Sequence, residues 1–404
     1  MTSSRMLALA AVAMLAAAPA AMAAKPKLLD ILTVGNNWDG TADLIDVHTY
    51  QRVLHLNIVP DLDQRKAEIA MDPAAQGYFI AIRELIGEGH DQFVDDSFTS
   101  PDGRFLYVSR PSLADVVAFS LKTRKIVWRT KVEGYRSDHM ALSKDGRRLL
   151  VSASTAAKVH QIDTHTGKIT GSFESGETPH ENNFSKDGTR IFHASIGKVY
   201  TPTDDPSQDA TKGDRRFEIV DAKSLKVLQK INMGDKLAEA GHPNMSAAVR
   251  PMALSPDEHF LYFQVSFFHG FVEYDLRANK VTRLAQLPES ETAKGLRRDQ
   301  YVLDSAHHGL SMDPTGKKLC AAGTMDDYAA IVNRKTFKYK LIGVGDKPYW
   351  STNSADGKLC YVSVSGDDSV SVIAYRTAKQ VARIAVGDHP QRMRTGKLRA
   401  AFAE

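Results

Sequence analysis

The chain has 404 residues, 43% of them hydrophobic and 25% charged, with 14 histidines, two cysteines and a formal net charge of +4. These proportions fit a globular protein and exclude a disordered or collagen-like chain. The charge is small and no basic run is interleaved with aromatics, so nucleic acid is not an expected partner.

The first 23 residues read as a secretory leader. Arg5 stands in a short basic region, LALAAVAMLAAA supplies the apolar run, and Ala21-Met22-Ala23 supplies the A-x-A cleavage signal. The apolar run is short for a membrane span, and no second long apolar segment follows. The expectation is a signal peptide over 1–23, a mature chain over 24–404 without a membrane span, and a periplasmic or secreted location.

Three alternating apolar segments come next: ILTVGN, ADLIDVH and RVLHLNIV. Their period of two marks half-buried strands. They lack a fourth partner. The segment 60–92 interrupts the strands and contains a helix signal. Asp72 is placed to cap, Pro73 fits the first helical position, and Gly87 terminates. Phe79, Ile82, Leu85 and Ile86 would form its apolar stripe, either as a wall over a functional face or as a simple cover for one edge.

From Phe98 onward the chain repeats. Turns of the SPDG kind follow the apolar residues Phe98, Leu142, Phe184, Leu254 and Leu310; Asn353 and Thr395 take the same place in the last two repeats. The intervals are 44, 42, 70, 56, 43 and 42 residues. The final complete repeat, 349–390, carries the strands LCYVSV, VSVIAY and VARIAV behind a short opening strand, four in all. That is one blade of a β-propeller. Seven opening strands predict seven blades, with the strand near 391–398 completing the N-terminal blade and closing the ring. The expected fold is therefore all-β, a single seven-bladed β-propeller.

CYVSVSGDDSVSVIAYRTAKQVARIAVGDHP, FLYVSRPSLADVVAFSLKTRKIV and LLVSASTAAKVHQIDTHTGKI closely resemble the repeats of the bacterial YVTN-repeat propellers. The resemblance covers nearly all of the mature chain. It implies a secreted or periplasmic propeller and names no chemistry, because propellers host many.

Each blade runs a, b, c, d outwards from the axis, so its d-to-a and b-to-c connections share one face of the disc. The long insertions 60–92, 197–216, 235–249 and 289–306 are all of this kind. Loops on one face of a rigid scaffold are where function usually sits. Cys320 and Cys360 occupy equivalent points in the second strands of adjacent blades. Such points are expected to stand too far apart to bridge, which predicts two separate core cysteines.

Aligning the opening strands brings equivalent residues of the seven blades together at the channel mouth. One ring holds Asp95, His139, Glu181, Pro251, His307, Trp350 and Arg392. The next holds Val94, Asp138, His180, Arg250, Ala306, Tyr349 and Gln391. Eight histidines fall in connections of the insertion face: His90, His139, His180, His242, His269, His307, His308 and His389. Three chemistries suit this set. In the first, His307, His180, Tyr349 or His139 moves a proton on a substrate held by Arg250, Arg392, Trp350, Asp138, Glu181 and His308. This layout resembles the axial sites of propeller lactonases, muconate cycloisomerases, and oligogalacturonate and virginiamycin B lyases, which implies lyase- or hydrolase-type chemistry. In the second, the mouth binds an anionic small molecule or saccharide without converting it. In the third, His139, His180 and His307 hold a divalent metal such as Zn, Cu, Mn or Fe. No haem, nucleotide-loop or nucleophile-elbow motif is present.

Overall fold

A computed structural model describes residues 26–199 and 206–403. The leader over 1–23 lies outside the described residues, as does part of the 197–216 insertion. Seven four-stranded antiparallel sheets are present. The first consists of strand a Pro390–Arg399, b Leu28–Asn36, c Thr41–Asp46 and d Arg52–Asn57. Its innermost strand thus comes from the far end of the chain and pairs with Leu28–Asn36 from Leu28↔Arg399 to Asn36↔Pro390. This closes the ring and leaves blade 1 without an open inner edge.

Blades 2 to 7 follow in order, each with its own hairpins. The a-to-b turns show why the SPDG pattern recurs. Ser100, Ser143, Ser185, Ser255 and Ser354 each donate a hydroxyl to the Asp two residues on, at 2.6–2.7 Å. That side-chain turn leaves a left-handed residue to finish the reversal, as at Gly146 with φ 72°. Alternating buried residues of neighbouring blades form the core between sheets. Blades 4 and 5, for example, bring Phe192, Phe217, Val249, Phe263 and Tyr274 together.

The four α-helices of the described residues lie in d-to-a connections: α1 Leu62–Ala70, α2 Pro73–Leu85, α3 Met233–Glu239 and α4 Glu291–Lys294. Helix α2 begins as its sequence predicts, with Asp72 accepting from the amides of Ala74 and Ala75. Helix α1 was not expected. It buries only Arg65 and Ile69 and is anchored by charge: Arg65 Nε lies 3.2 Å from Asp115, and Arg110 donates to both Asp115 and Asp61, the residue preceding the helix.

The cysteines correct their expectation. Cys320 and Cys360 form a disulfide with their Cα atoms 6.5 Å apart. Blades fan outwards from the axis, so second strands are still near one another. Ser351, on strand a of blade 7 (Pro348–Asn353), donates to the carbonyl of Cys320 at 3.0 Å. The resulting separation falls within bridging range.

Candidate functional site: an axial cavity

Five inner strands carry a β-bulge at one equivalent point. In blade 3 the pairing steps from Ser137↔Ala153 to Met140↔Val151, so Asp138 and His139 share the space of one residue. His180 and Glu181 do the same in blade 4, Arg250 and Pro251 in blade 5, and Gln391 and Arg392 in blade 1; in blade 7 the extra residue is Tyr349. A bulge re-aims side chains and twists the strand locally. Here it brings Asp138, His180, Arg250, Tyr349 and both Gln391 and Arg392 to the channel mouth.

That mouth opens into a cavity of about 620 Å³, lined at its polar end by Asp95, Arg136, Asp138, His180, Arg250, Tyr349, Gln391 and Arg392. Ile82, Leu85 and Ile86 of the α2 segment, with Ile196, Val199 and Leu303, supply its apolar lining. Tyr78 of α2 stacks on Tyr135 of the blade 2–3 connection at 4.5 Å. The helix is thus a wall of the cavity, one of the two arrangements its stripe allowed. The volume suits a small organic molecule.

Arg136 Nη1 donates to Asp138 Oδ2 at 2.6 Å, and Ser154 Oγ donates to the same oxygen at 3.0 Å. Arg392 pairs with Asp95. Arg250 donates to Ser266 Oγ and to the Leu303 carbonyl. Burial pushes the Asp95 carboxyl up to about 8, the nearby Arg392 charge opposing and Asp138 adding to the rise. Asp95 therefore carries a proton near neutrality and is able to donate it. Burial likewise pushes Tyr349 up to about 12, which keeps it a phenol. His180 is held well below its ordinary range by burial and by the adjacent His308 and Arg392, so its imidazole is neutral and offers a nitrogen that accepts a hydrogen bond from a bound ligand.

Behind this surface lies a layer of buried residues. His139 Nδ1 is 2.7 Å from Glu181 Oε2, and Asn183 donates to the other Glu181 oxygen at 3.2 Å. The His139 and His180 rings lie 3.8 Å apart; His308 stacks on Tyr349 at 4.2 Å and meets His180 edge-on at 5.7 Å. Trp350 closes the layer against His139 and Arg392. Burial raises Glu181 to about 7 and holds His139 and His308 well below their usual range.

The eight histidines of the insertion face separate into groups. His139, His180 and His308 gather at the axis. His90 and His389 sandwich the Trp38 ring at 3.9 and 3.7 Å. His242 is half-buried after α3. His307 joins His269 at Asp326, not the axis. This corrects the metal trio His139, His180 and His307, and removes His307 from the cavity. The reason is local. Strand a of blade 6 is only Leu310–Met312, so 306–309 is a loop free of the bulge register. Gly309 packs so closely on blade 7 that a Cβ would stand 2.8 Å from the Trp350 Cα. The chain there turns His308 inwards and His307 outwards.

Among the sequence-derived candidates, His180, Tyr349, Arg250, Arg392 and Asp138 line the cavity, while His139, Glu181, Trp350 and His308 stand behind it. Asp95 and Arg136 were not among them. Asp95 stood in the aligned ring, and its burial beside Arg392 is what distinguishes it. Arg136 immediately precedes its strand, just upstream of the two positions that the alignment compared. Among the described residues, three groups of side chains bring ligand-type atoms within 4.8 Å of one another: His139 with His180 and Glu181, Asp95 with Asp138 and His139, and His269 with His307 and Asp326.

No family model and no curated protein matches the chain. Among solved structures it is similar to a chain of hydrazine synthase from Kuenenia stuttgartiensis, with a TM-score of 0.58 and 16% identity over 83% of this chain and 89% of that one. The likeness is one of fold. The protein is a seven-bladed β-propeller with a polar axial cavity.

Proposed function

We propose that this protein is an exported propeller of the YVTN-repeat type that binds a small molecule bearing a carboxylate or comparable anion in the axial cavity and transfers a proton on it. The observation that carries the reading is the polar end of the cavity, where a buried acid, Asp95, whose carboxyl burial pushes up, stands beside Asp138, His180 and three arginines. Arg136, Arg250, Arg392 and Lys198 line the cavity against Asp95, Asp138 and Glu177. With Asp95 protonated, the cations exceed the anions, which favours an anionic ligand. Paired groups whose surroundings drive their protonation states apart are the arrangement acid–base catalysis needs. Asp95 serves as the acid, His180 accepts a proton, and Arg250 orients the anion. Lyase- or lactonase-type reactions of acidic sugars, uronate oligomers or lactones fit these roles. The hydrazine synthase chain lends this reading only its scaffold, since one fold hosts unrelated chemistries.

The test is a screen of those three compound classes that records product and melting together. Arg250→Ala should weaken binding at least tenfold. Asp95→Asn should retain binding and lower turnover by about 10²–10⁴-fold, the usual worth of a general acid. A ligand that raises melting and emerges unchanged, with Asp95→Asn binding as well as the parent, would make the propeller a binding module. Export is tested by N-terminal sequencing of the secreted chain, expected to begin at Ala24.

A further inference from the structure

We propose that His269, His307 and Asp326 form a divalent metal site of the zinc type, separate from the axial cavity and set between blades 5 and 6. The three residues come from three different connections: b-to-c of blade 5, blade 5 to blade 6, and b-to-c of blade 6. They converge on one atom. Asp326 Oδ2 lies 2.7 Å from His269 Nδ1 and 2.9 Å from His307 Nε2. His307 and Asp326 are buried, while the His269 side chain keeps 11% of its surface exposed and offers an ion a way in.

Two imidazoles and a carboxylate are a three-ligand set that leaves one position of a tetrahedral ion for water. Ligand atoms around such an ion, at roughly 2.1 Å each, stand about 3.4 Å apart, so the cluster opens by about half an ångström to admit it. The neighbours that orient metal ligands are already in place. Ser290 N–H donates to Asp326 Oδ1 at 2.7 Å, and Tyr301 OH stands 3.1 Å from His269 Nε2. Tyr328, which donates to the Pro288 carbonyl, sets its hydroxyl 3.3 Å from His307 Nε2, the ligand atom itself, and so borders the site rather than orienting the ring. On binding, both rings present bare nitrogens to the ion: His269 carries its proton on Nε2, facing Tyr301, and His307 carries its proton on Nδ1.

Charge separates this cluster from the axial ones. The ion-pair partners of Asp326 among the described residues are the two imidazoles alone. At the axis, the Arg392 guanidinium stands against Asp95 and Arg136 neutralises Asp138, and both guanidiniums would oppose a second cation. The site also has a mechanical reach. Tyr301 belongs to the same short segment as Leu303, whose carbonyl holds Arg250 in the cavity. An ion on His269 and His307 therefore steadies the segment that positions Arg250.

The experiment is a titration of chelator-treated full-length protein with Zn²⁺ alone, followed by calorimetry and melting. One ion per chain and a raised melting temperature are expected. His269→Gln and Asp326→Asn should each weaken that binding at least tenfold, and Asp138→Asn should leave it unchanged. Partly exposed His269 guards against a folding defect, since its variant should melt like the metal-free parent. Absence of Zn²⁺ binding by the parent, or binding that survives His269→Gln and is lost in Asp138→Asn, would overturn the site.

Discussion

His193 and His389 are the plainest test of how burial governs single groups. Each is held down to about 3 chiefly by desolvation, against an ordinary value of 6.5. Above pH 6.5 both the folded and unfolded chains hold these rings neutral, and stability is fully present. As pH falls, the unfolded chain takes up protons that the folded chain refuses, and stability declines until the folded rings protonate near pH 3. The slope is on the order of 1.4 kcal/mol per pH unit for each ring. Asp95 and Glu181 act in the opposite sense, since their folded values lie above the unfolded ones and folding gains as pH drops from about 8. The informative measurement is therefore a difference. His389→Gln should flatten the unfolding free energy between pH 6.5 and 3 relative to the parent, and identical slopes would refute the argument. At this scale the sequence was legible where a residue's role depended on its place in the repeat, as for His180, Arg250 and Tyr349. It was silent where a role depended on one loop's departure from the repeat. His307 and His308 are adjacent and chemically identical, and they part in a loop outside the repeat register, beside the close approach of Gly309 to blade 7.

Helices α1 and α2 show the same division among elements. The α2 stripe was visible because burying Phe79 and Ile82 requires a periodic apolar face. Helix α1 has no such face; ion pairs from Arg65 to Asp115 and from Arg110 to Asp61 hold it, and charge pairs so distant in the chain leave no periodic trace. Leu85 lines the cavity yet is 56% exposed, so it serves the ligand more than the fold. Leu85→Glu should weaken an anionic ligand at least tenfold while changing stability by less than about 0.5 kcal/mol, the range of ordinary surface substitutions. A large fall in melting would instead make the helix end structural. The disulfide is the other inter-element device. It joins strands 40 residues apart in sequence, and Cys320→Ala should cost about 2–4 kcal/mol, read as a lower denaturation midpoint. No change would mean that blades 6 and 7 hold together by packing alone.

The ring as a whole depends on one long-range pairing. Removal of residues 390–404 should leave blade 1 without its inner strand and cost most of the stability; a truncated chain that melts like the full one would refute the closure. Thr33 and Arg394, bonded across that pairing, are 361 residues apart in the chain. Synthesis at roughly 5–20 residues per second puts about 20–70 s between the two. Throughout that interval the first strand to be made waits with an unsatisfied edge. A second copy's terminal strand can fill it, which makes concentration during biogenesis a determinant of whether rings close on themselves or exchange strands. The same vacancy is an opportunity: a free peptide of residues 390–399, added in trans to the truncated chain, should complete the ring and restore its melting.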